Sequence, residues 1–491
     1  MVPFDSRSCL ACACVLVSAL GCSLAQTNRE DCTPQACREA FGLRSVCGDE
    51  GLCEISPAES RCSVSFPEDL LLRPEAYTDI LVVGSLFDRS LATHRARENA
   101  IRLAFRGAND QNGLEGRRFG VIFCNIAEDA AFDPLDRTQA AVAMARYLRD
   151  VYGVRAIIGP AASQDTLAVA EALQGDDVLV ISPSATSPIL TDLDPIPASD
   201  ETPGLVWRTA PPDSLQGIAI AEDMRGRVPT TETSTRVAVV FETGPYGEFL
   251  ADAFQRRFRD LGGMTTASSF ETSAERDEAI LRAVAGDERA DEVLFVSSQT
   301  QDVIAFLRAV ETNPSYDGVK LFVTDSAANF DVVDNTSPAI LSRVRGTRQA
   351  PQDEEENFVF RLFLTAYSGA YGEDARQYSF VANAFDAAWL VAYGMAWAEL
   401  RGGPSGPFGP GGSAIARGLR RTYRGQPVEI RASSWPDVLA SFRAGVGVDV
   451  TGASSDLDFD PDTEEFRAPI EVWVVRDRQF EGVRRFSLQS P

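Results

Sequence analysis

Residues Val154–Thr191 read VRAIIGPAASQDTLAVAEALQGDDVLVISPSATSPILT. One device occurs twice here: a short apolar β-branched run, then a turn of small, hydroxyl-rich residues. Ala156-Ile157-Ile158 reads as a buried parallel strand, broken by Gly159-Pro160. Ser163 and Asp165 stand where helix N-caps belong, ahead of the helically spaced Leu167, Ala170 and Ala172-Leu173. Val178–Ile181 reads as a second strand, followed by Ser182-Pro183-Ser184-Ala185-Thr186. A loop that opens a helix presents unpaired backbone N–H groups at the positive end of a dipole, a ready seat for a carboxylate. Two such ends side by side, with the hydroxyls of Ser163, Ser184 and Thr186, predict a grip on a small anion from one side.

The alternation of strand and helix extends outward from this stretch. Ile80–Val83 and Val121–Phe123 read as further strands, and Arg97–Asn109, Thr138–Val151 and Ser163–Leu173 as helices. In the first helix Ala100, Ala104 and Ala108 share a face flanked by Ile101 and Phe105, which suits packing on a sheet. Such alternation is the signal of a parallel α/β layer. A second alternating set starts at Val237 and runs past Leu321–Val323. Ser63–Tyr77, with Pro67 and Pro74, reads as a linker, and the Gly- and Pro-dense stretch Arg401–Ser413 as an exposed loop.

The paired turns IIGPAASQDT and ISPSATSPILT resemble those of the leucine/isoleucine/valine-binding protein family. So do Ile80–Gly84 with Asn99-Ala100-Ile101, Val237–Gly247 (VAVVFETGPYG) and Asn383–Leu390 (NAFDAAWL). The resemblance covers roughly Ile80 to Val475, with unmatched insertions such as Asp192–Gly204. It implies a two-lobed type I periplasmic-binding-protein clamshell, each lobe a mainly parallel sheet flanked by helices. Three hinge crossings are expected, near Thr209–Asp213, Gly346–Gln349 and Phe442–Asp449. Lobe one is then 78–212 plus 347–443, and lobe two 213–346 plus 444–491.

The resemblance also implies a site between the lobes. Ser163 matches a serine that holds a ligand carboxylate. Ser184 matches a residue whose carbonyl takes the ammonium, and Thr186, beside Ala185, a threonine that binds carboxylate. Tyr246 matches an aromatic that lines the cleft from lobe two. An ammonium needs an acid, since desolvating it alone costs several kcal/mol. Asp325 is the candidate, although strict alignment puts Ser326 on the acidic position. Thr93 and Gln299-Thr300 stand where aromatics are usual, which predicts a more polar cleft than a leucine site has. His94 adjoins the mouth and reads chiefly as a surface residue.

The N-terminus carries its own signals. Arg7 precedes an apolar run, Cys9–Leu20, too short to span a bilayer and shaped like a secretory signal over residues 1–21. Ala19-Leu20-Gly21-Cys22 resembles a bacterial lipobox, which implies a lipid anchor on Cys22 and residence in the periplasm or cell envelope. Residues 22–77 are then tether, Cys-rich module and linker. Cys32, Cys37, Cys47, Cys53 and Cys62 cluster, and Cys124 ends a strand. In an exported chain this density predicts disulfides, Cys124 offers the odd fifth cysteine a route to the main body, and the sequence leaves the connectivity open. The cluster holds no histidine, and zinc is disfavoured.

The 491 residues carry a formal net charge of −25, which argues against nucleic acid, since phosphate contacts need a basic face. There is one lysine, Lys320, and one histidine, His94. No G-x-S-x-G elbow, H-E-x-x-H pair or phosphate loop with its lysine occurs, so neither an enzyme nor a cofactor is expected. Asp456–Asp462 imitates a calcium loop but lacks the glycine of its sharp turn, and Leu457 and Phe459 suit a strand edge better. The expected function is a lipid-anchored substrate-binding protein of an ABC importer, monomeric, serving an inner-membrane permease. The alternative is a sensory or regulatory envelope lipoprotein that uses the same fold to contact a partner.

Overall fold

The β-branched and aromatic runs pair into two separate large sheets. The computed structural model describes residues 32–129, 133–227, 236–286, 289–351, 357–402 and 409–487. The expected signal segment and Cys22 lie outside them. The first sheet is ordered Val64–Phe66, Phe119–Asn125, Leu81–Phe87, Ala156–Ile158, Leu179–Ser182, Val206–Arg208. Its neighbours are parallel, except that Val64–Phe66 pairs antiparallel with Val121–Phe123. Successive strand residues point to opposite faces. Val83, Val121 and Ile158 therefore meet helices Ala92–Asp110 and Val381–Gly402, while Val82, Ile122 and Ile157 meet Arg137–Tyr152 and Ser163–Ala172.

The second sheet is ordered Met264–Phe270, Arg236–Glu242, Glu292–Val296, Lys320–Val323, Val344–Gln349, Ile470–Arg476, Gln479–Phe486. Its first five strands are parallel and the last two form an antiparallel hairpin. The chain leaves the first lobe after Arg208 for helix Gln216–Gly226, and returns after Gln349 to helix Phe358–Tyr371. It crosses a third time between Ala468 and Ile470. No helix among the described residues is long and apolar enough to cross a membrane.

Four expectations need correction. The third crossing lies later than Phe442–Asp449: Val448–Thr451 pairs with Gln426–Glu429, and Leu457, Phe459 and Phe466 pack in the first lobe's core. Residues 444–468 thus belong with lobe one, because their apolar side chains find cover there; Phe459 meets Trp207 at 5.1 Å between ring centres. Leu457 and Phe459 are buried, but no strand forms around them. The supposed linker Ser63–Tyr77 contributes an edge strand, since Val64-Ser65-Phe66 alternates as an edge requires. Finally, Ser163 and Asp165 cap nothing. Ala162 holds the cap position without a side-chain bond, and the Asp165 carboxylate is drawn away to Arg137 and Thr138.

Helix Pro34–Phe41 and the hairpin Ser45–Cys47/Cys53–Ile55 form a small N-terminal module. Cys32–Cys47 and Cys37–Cys53 staple it internally, and Cys62–Cys124 ties the following turn to the end of a first-sheet strand. The sulfurs of Cys32, Cys37 and Cys53 lie within 4.8 Å of one another, but each is in a disulfide and offers no thiolate to a metal. Arg61 adds a fork onto Asp133 at 2.6 and 2.7 Å and donates to the Ala127 carbonyl.

Candidate functional site

Parallel strands in both sheets end toward one another, and their carboxyl-terminal loops form a cleft, the place where open α/β sheets bind ligands. Ser163 and Ser184 follow strands Ala156–Ile158 and Leu179–Ser182, and Tyr246 and Asp325 follow Arg236–Glu242 and Lys320–Val323. These four expected residues line one cavity. Ala185 and Thr186 do not. The Ala185 N–H is taken by the Ser182 hydroxyl at 3.0 Å, and the Thr186 hydroxyl donates to Asp213 at 2.7 Å. Both groups are thus engaged within the protein, away from the cavity wall.

On the first-lobe side Ser163 is the first residue of helix Ser163–Ala172, and its Oγ accepts the Ser187 N–H at 3.2 Å. The Ser184 hydroxyl donates to the Ala161 carbonyl at 3.0 Å and accepts from Arg97 at 3.0 Å. Arg97 also donates to the carbonyl and the hydroxyl of Ser379, at 3.1 and 3.3 Å, and its guanidinium lies 5.4 Å from the Phe380 ring centre. Only 5% of Arg97 is exposed, and among the described residues no carboxylate lies within ion-pair reach of it. Burial pulls its pKa down, and the charges of Asp325 and Asp331 push back from a distance. Phe380 holds a left-handed backbone, φ 60°, a strained state for an aromatic residue that its neighbours must enforce.

On the second-lobe side the Tyr246 hydroxyl donates to Asp325 at 2.5 Å, and Gln216 donates to the same oxygen at 3.2 Å. Burial raises the Asp325 pKa, while these hydrogen bonds oppose the rise. Asp213 is pushed well above the carboxylate range, first by burial and then by the Asp325 charge. Two acids thus share a buried place at the first crossing. Ser326 also lines the cavity, its hydroxyl donating to the Ser297 carbonyl at 2.5 Å.

Direct bonds join the lobes across the cleft. Thr93 donates through N–H and hydroxyl to Asp331, the Ser187 hydroxyl donates to the Pro245 carbonyl at 2.7 Å, and Arg137 reaches Gln299. The clamshell is closed. His94, read from the sequence as a surface residue, lines the cavity instead. Its Nδ1 is 3.1 Å from the Asp88 carbonyl, and burial beside Arg97 and Arg137 holds the ring well below its usual pKa and so neutral.

Sequence reasoning missed Arg97. The signal was present: Arg97 heads the apolar stripe Ala100, Ile101, Ala104, Phe105 at helical spacing. A charge at the head of a sheet-facing stripe is costly unless something meets it.

The model of the receptor family ligand binding region matches residues 96–428, a span that holds Arg97, Ser163, Ser184, Tyr246 and Asp325. A Leu/Ile/Val-binding protein of Rhizobium johnstonii is 28% identical over 231 residues, 46% of this chain and 56% of that protein. The leucine-specific-binding protein of Salmonella typhimurium is 26% identical over 197 residues, 40% of this chain and 48% of that protein. The chain thus spans about half the length of the curated relatives it matches. Among solved structures, a leucine-binding protein from Thermotoga maritima superposes with a TM-score of 0.61 at 16% identity, over 83% of this chain and 99% of the other. An ABC transporter solute-binding protein from R. palustris, in complex with 4-hydroxybenzoate, gives 0.61 at 15% identity, over 84% and 98%. The fold is that of type I periplasmic binding proteins.

Proposed function

This chain belongs to the receptor family ligand binding region, and on that premise we propose that it is an extracytoplasmic substrate-binding protein. It delivers an amino acid or similar small solute to an ABC permease, acts as a monomer, and is not an enzyme. The observation that carries the reading is the polar, buried cleft at the strand ends, bridged by direct bonds between the lobes. Closure around a ligand is how such a clamshell signals occupancy to a membrane partner. In this reading Ser163 and Ser184 face the ligand from the first lobe, and Tyr246 and Asp325 receive its ammonium or hydroxyl group from the second. Thr93, Gln299 and Thr300 in place of aromatics favour a ligand more polar than leucine. The signal-like run and Cys22 support export and lipid anchoring.

Native mass spectrometry of the purified protein identifies what it carries, and calorimetry with that compound gives its affinity. Binding with a smaller radius of gyration in small-angle scattering is the expected result. Saturation without compaction would favour the sensory alternative. Acylation at Cys22, read from the intact mass of membrane-fraction protein, tests the anchor.

A further inference from the structure

Arg97 presents a problem that the residues around it do not solve. A guanidinium has five N–H donors. Three are engaged, by the Ser184 hydroxyl, the Ser379 carbonyl and the Ser379 hydroxyl, which leaves two without a partner among the described residues. All three acceptors are neutral. The group is 5% exposed and lines the interlobe cavity, so water does not solvate it freely. The charges of Asp325 and Asp331 act on it only from beyond ion-pair distance, and a buried cation with no carboxylate in direct contact is among the costlier arrangements in a protein, one that a bound anion would relieve. The ring His94 beside it is neutral and cannot serve. The other cleft arginine, Arg137, is different: Asp165 already neutralises it at 2.6 Å.

We infer that Arg97 is the carboxylate anchor of this cleft, and that the ligand is a small carboxylic acid seated with its acid group on the Arg97 guanidinium. This rests on the binding-protein reading above and moves its acid group away from Thr186. A planar fork matches a carboxylate in two parallel bonds. The first turn of helix Ser163–Ala172 lies in the same cavity wall and adds the favourable end of its dipole. Ser379 holds the fork from behind with two of its atoms, and Phe380 backs its face, so the guanidinium is fixed before the ligand enters. The opposite wall offers Asp325 and Tyr246, which require a hydrogen-bond donor on the ligand's other end. The substrate class is therefore a compact acid bearing an ammonium or hydroxyl group.

The test is a thermal-shift and calorimetry panel on the full chain. It uses the common amino acids and hydroxybenzoates, their primary amides, and, as unrelated solutes, neutral sugars and simple amines. The expected result is that at least one acid binds while its amide binds about a hundredfold more weakly. Arg97→Met should bring that acid down to about the level of its amide, so that the acid-over-amide preference disappears. Arg97→Lys, which keeps the charge but loses the fork, should fall between. Arg97→Met should also melt no lower than the parent in ligand-free form, since it removes an uncompensated buried charge. An acid and amide of equal affinity, or an acid whose affinity survives Arg97→Met, would overturn the anchor and leave the binding-protein reading intact. Binding and compaction with a sugar or amine alone would overturn the substrate class and still leave that reading. A panel in which nothing binds would overturn both.

Discussion

The Thr93 hydroxyl lies 2.9 Å from the Asp331 carboxylate, and the Thr93 N–H donates to the same oxygen at 3.2 Å. Thr93 sits in the first turn of helix Ala92–Asp110, whose cap residue Leu91 provides no side-chain bond. An acid from the second lobe thus caps a helix of the first, and it does so only when the cleft is shut. Asp331→Ala should shift the population toward the open form. The expected readouts are a larger radius of gyration without ligand and an affinity lower by about tenfold, the cost of one helix cap. An unchanged scattering profile would show that the latch carries no weight.

Asp325 and Asp213 provide a dependence on acidity. Both are held above the ordinary carboxylate range, chiefly by burial, and Asp213 further by the Asp325 charge. An ammonium ligand beside Asp325 favours the ionised form of the pair over the protonated one. Its affinity should tighten as pH rises through the pair's titration and weaken below it. Calorimetry in buffers of different ionisation enthalpy should register the released proton. Asp325→Asn should weaken ammonium ligands about ten- to a hundredfold, spare ligands that lack the group, and remove the proton release.

Asp386, wholly buried, accepts from the Ala453 and Ser454 N–H groups and the Ser454 hydroxyl at 2.6–2.8 Å. Burial outweighs these bonds and raises its pKa to about 7, from 3.8. The folded state therefore holds the proton more tightly than the unfolded one. This contribution is complete below the unfolded value and is lost as pH rises through about 7. Its ceiling is about 4 kcal/mol. Denaturant melts at a series of pH values should show the decline, and Asp386→Asn should flatten it.

The Cys62–Cys124 bridge spans 62 residues of chain. By loop-closure entropy its removal should cost about 4 kcal/mol. The paired change Cys62→Ser, Cys124→Ser should lower the denaturant midpoint accordingly, with ligand specificity kept. Loss of the two module disulfides, which close shorter loops, should cost less each.

The strands were legible because the runs around Val83, Val121, Ile157 and Val180 are short, β-branched and cleanly bounded. Ser163, Ser184, Tyr246 and Asp325, which the family resemblance implied, line one cavity because the strand ends that carry them converge. What could not be read was how side chains commit themselves. Thr186 was legible as a donor, but not that Asp213, 27 residues on, would claim it. The position of Leu457 and Phe459 on the first lobe depended on Trp207 and Tyr423 offering an uncovered face, a long-range match with no local mark. Arg97 left a trace only as a misfit in an apolar stripe, and periodicity reports the stripe rather than its exception.

The N-terminal module has a mechanical consequence. Arg61 locks it to Asp133, Arg38 donates to the Val151 carbonyl, and Cys62–Cys124 makes the attachment covalent; every one of these partners belongs to the first lobe. Whatever pulls on the chain ahead of Cys32 therefore pulls on that lobe alone. The first lobe is the stator and the second the rotor. With the chain ahead of Cys32 tethered, closure would be carried by residues 216–349 and the terminal hairpin, and a partner docked on the rotor would read the angle directly.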